Sequence, residues 1–179
     1  MSKIVSSVIY HLKTVSKHKY YVFKCMSQCG HPLQGFLHDW SKFSPTEFGE
    51  SIKFFQNGKR SPIDAAKEAQ GYSLAWFHHR GRNKHHSQYW VDISFGEVKP
   101  CKMPWKYLLE LICDGVAAGK VYQGQSWNQH APLEHYYKRD SLSFYHPDNR
   151  KALEECYKYI DKNGWEDFAN KVKMGEIKY

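Results

Sequence analysis

Between residues 4 and 26, apolar side chains fall at Ile4, Val5, Val8, Ile9, Leu12, Val15, Tyr20, Val22, Phe23 and Met26, mostly three or four positions apart. That step follows the turn of an α-helix and predicts one amphipathic helix or two. Gly30-His31-Pro32 interrupts the pattern, and residues 33–40 begin a second helix carrying His38 and Asp39. Ser44-Pro45-Thr46-Glu47 matches a capping box, with Ser44 as N-cap, Pro45 at the first helical position and Glu47 at N3. A third helix starts there and runs towards Phe55.

Asn57-Gly58-Lys59-Arg60-Ser61-Pro62 reads as loop, and residues 63–70, with Ala65, Ala66 and Ala69, as a short helix before Gly71. Residues 73–79 look helical, and Gly81 ends that stretch. After breaks at Phe95-Gly96 and Lys99-Pro100, Pro104 opens a strong helix. Its Leu108, Leu109, Leu111, Ile112, Val116 and Ala117 form an apolar face around Asp114, and Gly119 is the expected end. Residues 122–147 turn polar and irregular, which suggests an excursion over the surface or over a site. Asp148 caps a helix over 149–162, Asn163-Gly164 turns, and 165–174 is the last helix. Strand signal is slight, so the expected fold is all-α.

At 179 residues the chain has the length of one domain rather than two of ordinary size. Its expected core covers about 5–120, with the irregular excursion at 121–147 and terminal helices at 148–174. Aromatic residues make up 16% and the wider apolar set 41%, enough to fold without a disulfide. No apolar run approaches the ~20 residues that cross a bilayer, and the N-terminus lacks a secretory pattern, so a cytoplasmic protein without a membrane partner is expected. Cys25, Cys29, Cys101, Cys113 and Cys156 are odd in number and include no C-x-x-C pair, which reads as reduced packing thiols.

A formal charge of +8 and a pI near 9.1 favour an anionic partner, a phosphorylated small molecule before nucleic acid. The basic residues are dispersed and no nucleic-acid-binding motif accompanies them, so nucleic acid rests on electrostatics alone.

Chemistry concentrates at His18, His38-Asp39, His78-His79, His85-His86 and Asp114. Taken singly, each has a plain structural explanation. A lone histidine on an amphipathic helix more often packs than ligates, Asp114 in an apolar helix suits an ion pair as well as a metal, and four histidines within nine residues also fit a surface or pH-sensitive patch. Neighbours on a helix point about 100° apart, so an ion lying between the directions of His38 and Asp39 would take both. On an unbroken helix the two histidine pairs would lie ~10.5 Å apart along the axis, too far for one ion. A bend at Gly81 would let one histidine of each pair converge.

Together these residues carry a resemblance. His18, His38-Asp39, Lys42 and Asp114 resemble the order of the HD-domain superfamily of metal-dependent proteins. More closely, His38-Asp39-Trp40-Ser41-Lys42-Phe43, Ala75-Trp76-Phe77-His78-His79, Asn83-Lys84-His85-His86-Ser87-Gln88-Tyr89-Trp90, and Met103-Pro104 leading into Cys113-Asp114 look like the DUF5662 family of bacterial and phage HD-like proteins. The likeness covers about 17–120. It implies a bundle of about five core helices around a metal site, His18, His38, Asp39 and Asp114 binding a first ion. In two-metal members the doublet aspartate bridges, which would give His79 and His86 the second ion, with His78 and His85 as substitutes.

The implied cofactor is one or two divalent transition-metal ions, with Mn, Fe, Zn, Ni and Co not distinguished by imidazole-rich ligation. With a bound water the ion would serve phosphate-ester hydrolysis, nucleotides being the favoured substrates and Lys42, Arg80 or Arg82 neutralising the phosphate. Two irons with open positions would instead bind dioxygen, as in the superfamily's oxygenase branch. Glu47 is a further candidate as general acid or supporting partner, beside its capping role. A third class is a non-catalytic metal-binding or interaction protein using the aromatic stretch at 122–127. No P-loop, Rossmann glycine pattern, G-x-S-x-G elbow or H-E-x-x-H helix is present.

Overall fold

A computed structural model describes residues 3–56, 60–138 and 140–179. Residues 57–59 of the expected loop, Lys59 included, and residue 139 of the expected excursion lie outside the described residues. The order is α1 (Lys3–Gln28), α2 (Pro32–Leu37), α3 (Pro45–Lys53), α4 (Pro62–Gln70), α5 (Leu74–Arg80), β1 (Val91–Ser94), β2 (Glu97–Pro100), α6 (Trp105–Gln123), α7 (Ala131–Tyr137), α8 (Pro147–Asn163) and α9 (Trp165–Lys173). The fold is mainly helical, as the periodicity predicts. Among the described residues no helix is long and apolar enough to cross a membrane.

The chain divides into two compact units, Met1–Lys17 with Asp39–Asn83, and His18–His38 with Lys84–Tyr179. In the first unit α3 packs against α4 and α5. Val15, Phe55, Ala65, Ala66 and Ala75 are buried there, a modest set of mostly small side chains. Glu50 of α3 accepts from the Ser73 hydroxyl and from the backbone N–H groups of Leu74 and Ala75 at 3.0 and 3.1 Å. A carboxylate at the start of α5 satisfies donors that the first turn leaves open and complements the helix dipole.

The second unit holds the large apolar core. Val22, Cys25 and Met26 of α1 pack with Leu108, Leu109, Ile112 and Val116 of α6, Tyr136 of α7, Leu153, Tyr157 and Ile160 of α8, and Trp165 and Phe168 of α9. Gly35 lets α2 lie hard against α1, since a Cβ there would meet the Met26 side chain at 2.6 Å. All five cysteines are free, and only Cys101 is exposed.

Five local expectations need correction. His38 and Asp39 are not on a helix: α2 ends at Leu37, His38 is its C-cap in extended conformation, and Asp39 sits at φ 53°, ψ 33°. Aspartate tolerates that left-handed region better than most residues, and the turn it makes opens a short 3-10 turn over Trp40–Phe43. The 100° separation of helical neighbours therefore does not apply to this doublet.

Gly119 does not end α6, which runs on to Gln123. A Cβ at position 119 would lie 2.7 Å from Trp127 Nε1, so the glycine serves close packing rather than termination. The 121–147 stretch contains α7, whose Ala131, Pro132 and Tyr136 are buried, so part of the supposed excursion is core. The helix expected from Asp148 is instead capped by His146, whose ring nitrogen accepts from Asp148 N–H at 3.2 Å, with Pro147 in the first turn. Likewise Phe95-Gly96 is the tip of an antiparallel hairpin pairing Val91 with Pro100. Its two residues at φ 53° and 77° match a tight turn whose twist suits the strands.

Candidate metal centre

The second unit assembles its polar cluster from four places in the sequence. His18 lies on α1, His38 caps α2, His85 stands in the turn before β1, and Glu110 and Asp114 are one turn apart on α6. Positions i and i+4 share a helix face, so both carboxylates reach the same side. His18 is 8% exposed and His38 and His85 1% each, a depth at which imidazoles need partners.

His18 Nε2 lies 2.9 Å from Asp114 Oδ1, and His38 Nε2 lies 3.8 Å from the same oxygen. His38 Nδ1 stands 2.9 Å and His85 Nδ1 3.2 Å from Glu110 Oε1. His85 Nε2 is 4.0 Å from Asp114 Oδ2. The Gln34 amide donates to Glu110 Oε2 at 2.7 Å. Burial alone would push the Glu110 carboxyl up, but hydrogen bonds from His38 and His85 outweigh it and bring it down to about 2. For Asp114, burial is likewise opposed by the His18 hydrogen bond and by the charges of His18, His38 and His85, and the net direction is well below the ordinary range.

Two triads in this unit each bring one ligand atom per residue within 4.8 Å of one another: His18, His38 and Asp114, and His38, His85 and Glu110. Imidazole nitrogen and carboxylate oxygen, convergent and all buried except the partly exposed Asp114, are a donor set that suits a borderline transition-metal ion.

The first unit gathers a different set. Asp39, 2% exposed, pairs with Lys42 Nζ at 2.5 Å and faces His79 Nε2 at 3.5 Å. Ser44 Oγ accepts from the Glu47 N–H at 3.3 Å, as a capping box requires. The Glu47 carboxylate has another use: its two oxygens lie 2.7 Å from His78 Nδ1 and 2.9 Å from His79 Nδ1. Burial raises the Glu47 pKa, but these histidines and Ser41 lower it by more, and the net direction is down. The Asn83 amide donates to Ser41 Oγ at 2.8 Å and to the His79 carbonyl at 2.8 Å.

Of the residues singled out in the sequence, His18, His38 and Asp114 thus lie together in the second unit, and His85 lies with His38. His86 is half-buried with its ring 4.3 Å from that of His85. Asp39, Lys42, Glu47, His78 and His79 gather in the first unit. Arg80 stacks over Phe77 at 4.6 Å, and Arg82 is exposed. Sequence reasoning passed over Glu110 and Gln34, and gave Asn83 no role beyond its place in a motif. Glu110 left a signal, since a second carboxylate one turn before Asp114 on an otherwise apolar helix face is expensive to bury without a purpose.

No curated protein and no solved structure matches this chain. A family model matches residues 7–159, and on that match the chain belongs to DUF5662, a family of unknown function.

Proposed function

We propose that the protein is a metal-dependent phosphohydrolase of the HD type, acting on a nucleotide or another small phosphorylated molecule. The observation that carries the reading is the convergence of buried His18 and His38 with Asp114 in a chain of formal charge +8. A divalent ion, when bound, lowers the pKa of a coordinated water and polarises a phosphoryl oxygen.

The chain's own residues supply the rest. His18, His38 and Asp114 hold the ion. Arg80 and Arg82 offer planar guanidinium donors to phosphate oxygens, and Lys42 adds a point charge while orienting Asp39. Both oxygens of Glu47 already engage histidines, which suits it to orienting His78 and His79 better than to donating a proton. The assignments of Asp39 as a shared ligand and of His79 with His86 to a second ion rest on the superfamily resemblance.

Elemental analysis of protein purified without a histidine tag, followed by a phosphomonoester panel with manganese, tests the reading. Stoichiometric metal and phosphate release, both lost in His38→Ala, are expected. Absence of stoichiometric metal overturns it in favour of a non-catalytic protein. Iron with an oxygen-sensitive absorption band overturns it in favour of the oxygenase branch.

A further inference from the structure

We infer that a cleft beside the start of α8 is a binding site for a small aromatic anion, with apolar walls for the ring and two cations for its carboxylate or phosphate. Every residue of the cleft belongs to the second unit, and none belongs to the histidine and carboxylate clusters described above. The inference therefore stands or falls apart from the proposed function.

The cleft has a volume of about 520 Å³, a size that suits a small molecule. Pro100 at the end of β2, Leu142, Tyr145 and Pro147 supply its apolar surface. Two of these are proline rings, whose fixed φ leaves little freedom to lose when a ligand binds. Tyr145 is part of the core and Leu142 packs against that core, so this wall is anchored from behind. Flat, rigid faces of this kind suit a ring better than a flexible chain.

Charge decides the rest. Arg150 and Lys151 line the cleft together with one carboxylate, Glu154. That carboxylate is engaged from outside the cleft: Lys158 Nζ lies 2.8 Å from Glu154 Oε1, and the Tyr137 hydroxyl donates to the same oxygen at 3.0 Å. Arg150 attracts Glu154 too, but less than Lys158 does. Lys151 reaches Glu155 only at 4.0 Å with its side chain 79% exposed, a pairing that contributes little. The cleft thus carries an excess of positive charge.

The place of that charge is unusual. Arg150 and Lys151 follow directly on the first turn of α8, near the end where the helix dipole favours anions and disfavours cations. An anion held there offsets the repulsion, and the planar guanidinium of Arg150 matches the oxygens of a carboxylate or phosphate.

Nitrogen-15 NMR titration of the wild type as purified tests the inference. The anionic probes are 1-naphthoate and 1-naphthylmethylphosphonate, and 1-naphthylmethanol and inorganic phosphate present the ring and the anion alone. Amide shifts are expected to concentrate at residues 142–151. At least one anionic probe should bind about tenfold more tightly than either fragment, and the tighter of the two names the anionic group. Arg150→Gln, at an exposed position, should weaken that binding by about tenfold. Lys162→Gln removes the same charge from an exposed position roughly 18 Å further along α8, beyond the screening length, and should leave the affinity within about twofold.

The inference is overturned if neither anionic probe binds, if 1-naphthylmethanol binds as tightly as both, or if Arg150→Gln and Lys162→Gln lose affinity equally. Shifts confined to the surroundings of His18, His38 and Asp114 overturn it as well. Wild type without metal or phosphate release overturns only the proposed function.

Discussion

The two units treat their glutamates alike, each set between two histidines, and their aspartates differently. In the first, Asp39 is met by a lysine ammonium at 2.5 Å, and Glu47 divides its oxygens between two histidines. In the second, Glu110 and Asp114 lie one turn apart on α6, and among the described residues neither is paired with lysine or arginine. The first unit brings a lysine to its aspartate, whereas the second surrounds its aspartate with imidazoles. A buried charge is costly wherever it sits, so what compensates it is the best local guide to its role.

The largest effect that separates the two should come from Glu110. Its folded-state pKa of about 2 lies below the ordinary 4.5, so ionised Glu110 stabilises the fold above pH 4.5, and that contribution is lost as pH falls towards 2. In chelator-treated protein, Glu110→Gln should be less stable than wild type by on the order of 3 kcal/mol at pH 7. Urea unfolding at stepped pH checks this, and a gap that persists unchanged below pH 3 would deny that the imidazole pair holds the carboxylate.

Lys42→Ala should rank second, costing about 2 kcal/mol, because it leaves the Asp39 carboxylate buried without its cation while the lysine itself is partly exposed. Thermal unfolding reads the loss.

Smallest is Ser44→Ala, which removes the hydroxyl that accepts from the Glu47 N–H and should cost about 1 kcal/mol. Hydrogen exchange in α3 should rise. Unchanged exchange in α3 would show that the Ser44 hydroxyl does not hold the start of that helix.

Legibility followed the range of the interactions. The capping residue Ser44 acts three residues away, so the start of α3 was readable. The end of α6 was not, because Gly119 answers to Trp127 rather than to its own helix. Tyr136 looked like surface until α7 folded it into the core. The hairpin at residues 91–100 escaped notice because a strand pair this short holds few alternating positions.

By itself, the sequence determined the helical class, most helix starts, and the residue types available for metal chemistry, since periodicity, caps and composition are local. Tertiary structure alone decided which histidine meets which carboxylate. His38 and Glu110 stand 72 positions apart, and no local rule relates them. Nor does any local rule say that one carboxylate on α6 takes Nδ1 atoms while the next, a turn later, faces Nε2 atoms. Which groups could together hold a metal ion follows from those placements, because a ligand set needs donor atoms that converge in space whatever their distance along the chain.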